Sequence, residues 1–233
     1  MKVLGIDTSS NVASAAVIDD DNIIAEYTLN LKKTHSQLLM PMIDSMLSSC
    51  ECDISDIDLF AVSVGPGSFT GLRIGIATAK GLVHACGKKI VPVGTLAALA
   101  YNLPYAEHII VPIMDARRNE VYTAAYIWDE DGFREIEEPH AAPLSECLDG
   151  CGNMLDVIFV GDGVPVYREQ IKDRLGEKAI FVPAGSNLQR GASVAALGLK
   201  NASDAVDCGQ ICPVYIRKSQ AEREYEEKHK QNI

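Results

Sequence analysis

The segment KVLGIDTSSN at residues 2–11 is the strongest indication of the fold that we expect for this chain. Its first five residues form a short apolar run that fits a buried strand, and five small polar residues follow. Such residues form turns because their side chains bond the nearby backbone. Apolar runs at 12–18 and 23–29, joined by an acidic turn at 19–22, complete a predicted three-stranded meander.

The same order of elements returns in the second half of the chain. A predicted strand at 111–115 leads through a polar turn at 116–119 into a second strand at 120–128, which ends in the acidic turn 129–132. Two strand pairs alone could match by chance. Their equivalent positions in two halves predict an internal duplication.

A loop of sequence Gly-Pro-Gly-Ser at 65–68 stands between a predicted strand at 59–64 and a predicted helix at 70–86. Helix N-termini attract anions, so this loop could hold a phosphate. It lacks the Gly-Lys-Ser/Thr ending of a nucleotide-binding P-loop, and a structural turn fits it at least as well. Within the helix, small residues recur at four-residue spacing and give a smooth face that another backbone can approach: Gly71, Gly75 and Ala79.

The polar turn after the first strand also allows two interpretations. Asp7, Thr8 and Ser9 could cradle a nucleotide phosphate, because hydroxyls and turn N–H groups are good anion donors. The same residues also make an ordinary polar β-turn. We therefore treat them as vestigial cofactor-binding candidates. No nucleophile elbow, His-Glu-x-x-His motif or paired His/Cys nucleophile is present, so the sequence predicts no catalytic residue, no metal and no cofactor.

A predicted helix at 34–48 carries a broad apolar stripe made of two rows at four-residue spacing: Leu38, Leu39, Met42, Ile43, Met46 and Leu47. Methionines suit an adaptable contact surface, although core packing is their commoner use. His35 lies at the start of this helix, where a lone histidine is more often a helix-start residue than a ligand. Pro41 is expected to kink the helix or to mark its true start.

The remaining elements alternate between strand and helix. The strands are predicted at 90–93, 157–160 and 180–182, and the helices at 95–101, from the loop 161–165 to 175, and at 192–199. The tail at 220–230 mixes Glu and Lys and is predicted to be a solvated helix or a frayed end.

Composition restricts the function. Hydrophobic residues make up 47% of the chain, as in ordinary globular proteins. The formal net charge of -11 argues against autonomous nucleic-acid binding, since most of that affinity comes from neutralising phosphates. No apolar stretch approaches the roughly 18 residues that a membrane span needs, and the N-terminus has no signal-peptide pattern.

The seven cysteines are accordingly expected to be reduced thiols of a cytoplasmic protein. Two pairs, Cys147/Cys151 and Cys208/Cys212, have a three-residue gap. Zinc sites usually use the tighter Cys-x₂-Cys spacing, so inert thiols are favoured over a metal site.

The opening Gly-Ile-Asp-Thr-Ser at 5–9 resembles the actin and sugar-kinase superfamily. Within it, the run Gly-Pro-Gly-Ser-Phe-Thr-Gly-Leu-Arg-Ile-Gly at 65–75 is very similar to the TsaB (YeaZ) family, as are the segments 34–37, 114–117 and 213–217. The resemblance implies an α/β, two-lobed actin/sugar-kinase-like (ASKHA) fold with a duplicated mixed β-sheet and flanking helices. We place the N-terminal lobe at 1–104 and the C-terminal lobe at 105–233, with the last helix packing back on the first lobe.

The resemblance also implies a non-catalytic subunit for the synthesis of threonylcarbamoyladenosine in tRNA. Such subunits pair with the catalytic paralogue TsaD, work with the ATPase TsaE, meet tRNA only through the complex and form homodimers when alone. The family's pairing surface corresponds here to the helices at 34–48 and 70–86. Its expected interface residues are His35, Leu38, Leu39, Met42, Ile43, Met46, Gly71, Leu72, Gly75, Ile76, Ala79 and Val83. On this basis Met42→Asp is expected to give a soluble monomer that does not bind TsaD.

One departure from the catalytic sister family argues against an enzyme. That family carries two metal-binding histidines four residues apart, and the corresponding positions here are Thr95 and Leu99. Neither can replace imidazole as a transition-metal ligand. The alternative is a small kinase or ATPase of the same superfamily, with Asp7 and Asp115 as metal or water ligands. A peptidase is disfavoured because the chain offers no nucleophile or metal pair.

Overall fold

The computed structural model describes residues 1–31, 33–152 and 154–217 of the 233-residue chain. The first half contains β1 (Lys2–Asp7), β2 (Val12–Asp19), β3 (Asn22–Asn30), α1 (His35–Ser49), β4 (Leu59–Gly65), α2 (Phe69–Cys86), β5 (Lys89–Gly94) and α3 (Thr95–Ala100). The second half contains β6 (Ile109–Asp115), β7 (Glu120–Asp129), β8 (Gly132–Pro143), α4 (Leu144–Cys151), β9 (Val157–Val160), α5 (Gly163–Leu175), β10 (Ala179–Phe181) and α6 (Gly191–Lys200). The charged tail predicted at 220–230 lies outside the described residues.

Two five-stranded sheets repeat one topology. The first has the order β3-β2-β1-β4-β5, and the second has the equivalent order β8-β7-β6-β9-β10. In the first sheet β1 pairs with β2 in antiparallel fashion, whereas β4 and β5 run parallel to β1. In the second sheet β6 pairs with β7 in antiparallel fashion, whereas β9 and β10 run parallel to β6. The predicted duplication and the predicted two-lobed α/β fold are therefore confirmed.

Two elements of the second lobe escaped prediction, and one helix differs in its course. Strand β8 is an edge strand whose exposed residues are largely charged, so it lacks the apolar alternation that marks a strand. Helix α4 has only eight residues, too few for a clear period. Helix α1 begins at His35 and continues through Pro41, so the proline does not mark its start.

Alternation along β1 assigns the helices to the two faces of the first sheet. Leu4 and Ile6 lie in one core cluster with the inward side chains of α1 and α2. Val3 points to the opposite face and packs in a second cluster with Val194 and Ala195 of α6. In the second lobe, α4 and α5 share a cluster with β6, β7 and β9, and α3 packs on the remaining face.

Helix α6 is close to the first sheet because glycines remove the side chains between them. A Cβ on Gly5 would overlap the backbone of α6, and a Cβ on Gly191 would overlap the backbone of Ala15 and Ala16. The following chain stays with the first lobe, where Val206 bridges to Ile90 in antiparallel fashion. The first lobe is thus completed by residues 191–217 from the second half of the sequence. Among the described residues, no helix has the length and apolarity to cross a membrane.

Candidate functional site

A cleft of about 840 Å³ separates the two lobes at the carboxyl ends of β1 and β6. Ligands of open α/β sheets bind at this edge, so the cleft is the natural candidate site. Its lining residues come from both lobes: Ser9, Ser10, Asn11, Gly67, Ser68, Phe69, Thr70, Arg73, Met114, Asp115, Ala116, Arg117, Tyr122, Asp162 and Val166.

The first of the predicted candidates, Asp7, is sealed beneath the cleft floor. Its side chain is 0% exposed and accepts hydrogen bonds from the amide of Ser9 (2.9 Å), the Ser9 hydroxyl (2.7 Å) and the Ser63 hydroxyl. Burial raises the pKa of this carboxyl above its ordinary value, and the bonds from Ser63 and Ser9 oppose that shift. Asp7 is therefore positioned to hold its own turn together.

Thr8 is also turned away from the cleft. It is 2% exposed, and its hydroxyl donates to the carbonyl of Gly71 at 2.8 Å. The Ser9 hydroxyl donates a hydrogen bond to Asp7, although Ser9 borders the cleft. Of the three vestigial cofactor-binding candidates, only Ser9 reaches the cavity.

Gly67 and Gly71 pack directly on this turn, whereas a Cβ on Gly65 would overlap the carbonyl of Val214. The amide of Ser68 donates to the carbonyl of Ser9 at 2.7 Å, and a Cβ on Gly67 would overlap the same carbonyl. A Cβ on Gly71 would likewise overlap the carbonyl of Thr8. Close backbone approach thus accounts for the loop, as the structural interpretation of the sequence proposed.

In the second lobe, a turn after β6 occupies the equivalent place. Asp115 accepts hydrogen bonds from the amide of Arg117 (2.9 Å) and the hydroxyl of Tyr167 (2.8 Å). Arg117, Arg118 and Asn119 have φ of 68°, 57° and 64°, a left-handed run that costs of order 1–2 kcal/mol per residue. The turn directs the Arg117 side chain, 84% exposed, to the mouth of the cleft.

Asp162 stands opposite this turn, at the start of α5. Its Oδ1 atom is buried and has no hydrogen-bond partner, and the side chain makes no capping bond to the helix. Burial, followed by the nearby charge of Asp115, raises the pKa of Asp162 to about 6. From the sequence, Asp162 was placed only within the loop 161–165; its position after a short strand, in the loop before a helix, was the available signal.

The segment 213–217, which we call the strap, contacts three residues that line the cleft, Phe69, Arg73 and Ala116, and is anchored first to the N-terminal lobe. The amide of Val214 donates to the carbonyl of Val64 at 2.7 Å. Tyr215 stacks on Phe69 with ring centroids 4.1 Å apart, and its hydroxyl accepts a 2.8 Å hydrogen bond from Arg73 Nε. These contacts fix the strap against the first turn of α2.

The last described residue of the strap, Arg217, is anchored to the second lobe. Its guanidinium donates to the carbonyl of Ala116 at 3.1 Å and forms a 2.5 Å ion pair with Glu120. Only 16% of the Arg217 side chain is exposed, so this pair is shielded from water more than most surface pairs. The strap therefore joins the two lobes; from the sequence, this segment was singled out only as part of the family resemblance, and no structural role was predicted for it.

The predicted interface residues lie mainly inside the first lobe. From α1, Leu39, Met42, Ile43 and Met46 are at most 4% exposed; from α2, Leu72, Ile76, Ala79 and Val83 are equally buried. Gly71 and Gly75 are covered by Thr8. Leu38 is half-buried, and so is His35, whose Nε2 lies 2.7 Å from the carbonyl of Ser10. The apolar stripe is thus a core stripe, because these helices must cover their own sheet before they can meet a partner.

The outward face of α2 is a different set of small residues. Ala77, Gly81 and Ala85 are exposed at the same four-residue spacing, and nothing lies within 4 Å of a Cβ added to Gly81. The neighbouring surface of α1 presents Met40, which is 46% exposed. A smooth surface therefore exists, but two residues further along the helix than the sequence placed it.

The two positions that correspond to metal-binding histidines in the sister family lie in the core. Thr95 and Leu99 are both 0% exposed on α3. Across residues 1–31, 33–152 and 154–217, no group of three or more His, Cys, Asp or Glu side chains is arranged to hold a metal ion.

Duplicated sheets around an inter-lobe cleft define a two-lobed protein of the actin and sugar-kinase class. Solved structures bear out this fold: the structure of YeaZ from Pseudomonas aeruginosa superimposes with a TM-score of 0.75 at 26% identity and covers 92% of this chain and 99% of that one. The Acidaminococcus fermentans (R)-2-hydroxyglutaryl-CoA dehydratase component A shares the fold alone, with a TM-score of 0.52 at 13% identity, covering 87% of this chain and 99% of that one.

Sequence comparison narrows the class. The family described as TsaD, tRNA N6-adenosine threonylcarbamoyltransferase, matches residues 22–225. The tRNA threonylcarbamoyladenosine biosynthesis protein TsaB of Bacillus subtilis strain 168 is 33% identical over 99% of this chain and 100% of its own length. Its namesake from Escherichia coli K12 is 31% identical over 81% of this chain and 84% of its own length. The chain therefore belongs to the TsaB (YeaZ) family, within the wider family that the TsaD match describes.

Proposed function

We propose that this chain acts in the synthesis of threonylcarbamoyladenosine in tRNA, as a non-catalytic subunit that pairs with a TsaD-type transferase. Support comes from its relatives, which carry that biosynthetic role in their name, and from its match to the family of the transferase itself. Two proteins that share a fold and its outer helices can pair through equivalent faces. A TsaE-type ATPase and tRNA would join this pair, and the isolated chain would form a homodimer through the same face. A cytoplasmic location goes with this role.

The observation that carries the proposal is the outward face of α1 and α2. Ala77, Gly81 and Ala85 leave the backbone of α2 open to close approach by a partner helix. On α1, Met40 supplies an exposed, flexible apolar side chain, a residue type common at adaptable contact surfaces. The core stripe beneath makes the two helices a rigid support for this face.

A scaffold role also accounts for the state of the inter-lobe cleft. Asp7, the residue that a kinase would need free for a metal or a water, is fully buried and committed to Ser9 and Ser63. The strap at 213–217 fixes the lobes to each other through Tyr215 and Arg217. A rigid body with a sealed turn suits an assembly subunit better than an enzyme that closes on its substrate.

The test is a charged side chain on the outward face that leaves the monomer intact. Gly81→Arg adds a long cation in open space and exchanges glycine for a better helix former, so the fold is expected to tolerate it. Gln170→Arg, on the exposed side of α5, is the matched control. Light scattering after size exclusion, with and without a TsaD-type partner, reads out both the homodimer and the heterodimer.

We expect Gly81→Arg to abolish both complexes, whereas Gln170→Arg retains them. A Gly81→Arg protein that still pairs with the TsaD-type partner would overturn the proposed surface. If neither variant nor the parent chain binds that partner, the pairing role itself fails.

The second candidate is a small kinase or ATPase, and Asp162 is the observation that favours it. An unpartnered carboxylate oxygen facing a cleft beside Asp115 is a group that a bound cation could satisfy. This alternative predicts that the isolated chain binds Mg-ATP tightly, which isothermal titration calorimetry measures. The scaffold proposal expects no such binding.

A further inference from the structure

A second cavity lies in the C-terminal lobe, away from the inter-lobe cleft. It has a volume of about 390 Å³ between α4, β7 and β8. Both Cys147 and Cys151 line it, together with Thr123, Glu137 and His140. The proposed function uses none of these groups.

The two thiols occupy one face of α4. Residues four apart on a helix have Cβ atoms about 5–6 Å from each other, so the two side chains can meet. Cys147 is half-buried and lies 3.6 Å from the Thr123 hydroxyl, whereas Cys151 is 4% exposed. Both thiols thus line the cavity, and Cys151 is the more deeply buried of the two.

The surroundings of the two thiols also shift their pKa values in opposite directions. A hydrogen bond from Cys151 lowers the pKa of Cys147 below its ordinary value, although burial and the carboxylate of Glu137 oppose that shift. The same bond, together with burial, raises the pKa of Cys151. Cys147 is therefore the better nucleophile, and Cys151 keeps its proton.

The end of the helix can accommodate a bond between them. A disulfide needs a Cβ separation of about 3.5–4.5 Å, so the last turn of α4 must move by about one or two ångströms. Cys151 is the final residue of α4 and stands between Gly150 and Gly152, and no atom lies within 4 Å of a Cβ on Gly150. The open space beside Gly150 leaves room for this turn to shift, and a strained disulfide there is readily reduced again.

We propose that Cys147 and Cys151 form an oxidisable dithiol that hydroperoxides convert into a reversible disulfide. The Cys147 thiolate attacks one peroxide oxygen, the O–O bond breaks, and the leaving oxygen takes up a proton as water, or as an alcohol from an organic peroxide. Sulfur in Cys147 is thereby oxidised by two electrons to a sulfenic acid. The Cys151 sulfur then attacks Cys147, the S–O bond breaks, and hydroxide leaves with the Cys151 proton as water.

The test uses the full chain, fully reduced and then exposed to a graded series of hydrogen peroxide. Remaining thiols are alkylated with iodoacetamide, and the masses of the tryptic peptides are measured by mass spectrometry. No Lys or Arg stands between Arg134 and Arg168, so a single peptide carries both cysteines. Cys212, an exposed thiol on another peptide, reports non-specific oxidation.

We expect the peptide to lose two hydrogen atoms and both alkylation sites before Cys212 reacts, and to recover both with dithiothreitol. Cys151→Ser should leave a sulfenic acid at Cys147 that dimedone captures, whereas Cys147→Ser should abolish the reaction at this peptide. Oxidation of Cys147 to sulfinic acid with Cys151 still alkylated would overturn the proposal. Loss of both thiols no faster than that of Cys212 would overturn it as well.

Discussion

Replacing Asp162 with asparagine should stabilise the protein at neutral pH. The native pKa of Asp162 is raised to about 6 from an ordinary 3.8, a difference of roughly two units at about 1.4 kcal/mol each. Since the residue is only partly buried as a whole, we reduce the resulting value to about 2 kcal/mol. The asparagine side chain keeps the shape of the carboxyl group and removes the charge that burial and Asp115 disfavour.

The pH dependence fixes the sign of this effect. Well below pH 4 both the folded and the unfolded chain carry a protonated Asp162, so the residue costs nothing. As the pH rises from about 4 to about 6, the unfolded chain has lost its proton while the native protein still holds it, and the native protein is progressively destabilised. The advantage of Asp162→Asn should therefore be small near pH 4 and complete above about pH 7.

Urea unfolding at pH 4, 5, 6 and 7 measures the difference directly. For a chain of this size, about 2 kcal/mol corresponds to a rise in Tm of roughly 4–8 °C. Asp44→Asn, on the exposed side of α1, is the matched control and should show no comparable change between pH 4 and pH 7. An Asp162→Asn protein that is less stable than the parent at pH 7, or whose advantage is the same at pH 4, would contradict this account of the buried charge.

Three further predictions concern the core, the glycines and the strap. Met42→Asp should lower the free energy of unfolding by more than about 3 kcal/mol, because the side chain is 4% exposed. Met40→Asp, at a 46% exposed position on the same helix, should lower it by less than about 1 kcal/mol. We therefore expect Met42→Asp to destabilise the fold, and no longer to give the soluble monomer expected from the sequence. Gly67→Ala should lower the urea midpoint through its overlap with a backbone carbonyl, whereas Gly81→Ala should raise stability by about 0.5–1 kcal/mol. Arg217→Ala should speed hydrogen exchange in the strap, since it removes both anchors to the second lobe, and unchanged exchange there would show that the strap does not depend on this residue.

Local sequence was informative where a pattern reports directly on backbone conformation. Alternating apolar runs and small polar turns predicted β1, β2 and β3 to within one residue at each end, and their repetition predicted the second lobe. The charged edge strand β8 and the short helix α4 were missed because they carry neither period. The family resemblance at 65–75 included glycines that are needed for close approach: Gly67, Gly71 and Gly75 pack on the turn after β1, and Gly65 packs on Val214.

The candidate site was less predictable because burial is a property of the whole fold. Asp7 resembled a cofactor ligand in the sequence, yet its turn is enclosed by the loop at 65–68 and by β4. Asp162 became notable only once the second lobe brought it beside Asp115. The strap residues Tyr215 and Arg217 find their partners on elements far away in the chain, a separation that no local pattern encodes.

Residue order alone predicted the duplicated α/β architecture, because periodicity and turn chemistry act over a few neighbours, and its motifs resembled the family to which the chain belongs. It left the glycine-rich loop open between a phosphate loop and a structural turn. The side of α1 and α2 that is free to face a partner emerged only from the packing of the two helices on their sheet. Leu39 and Met42 satisfy the same apolar period whether they meet a sheet or another protein, and a period cannot say which. The first sheet already needs a cover, so the inward stripe is used there, and the outward small residues Ala77, Gly81 and Ala85 stay exposed, which is why we propose them as the pairing surface.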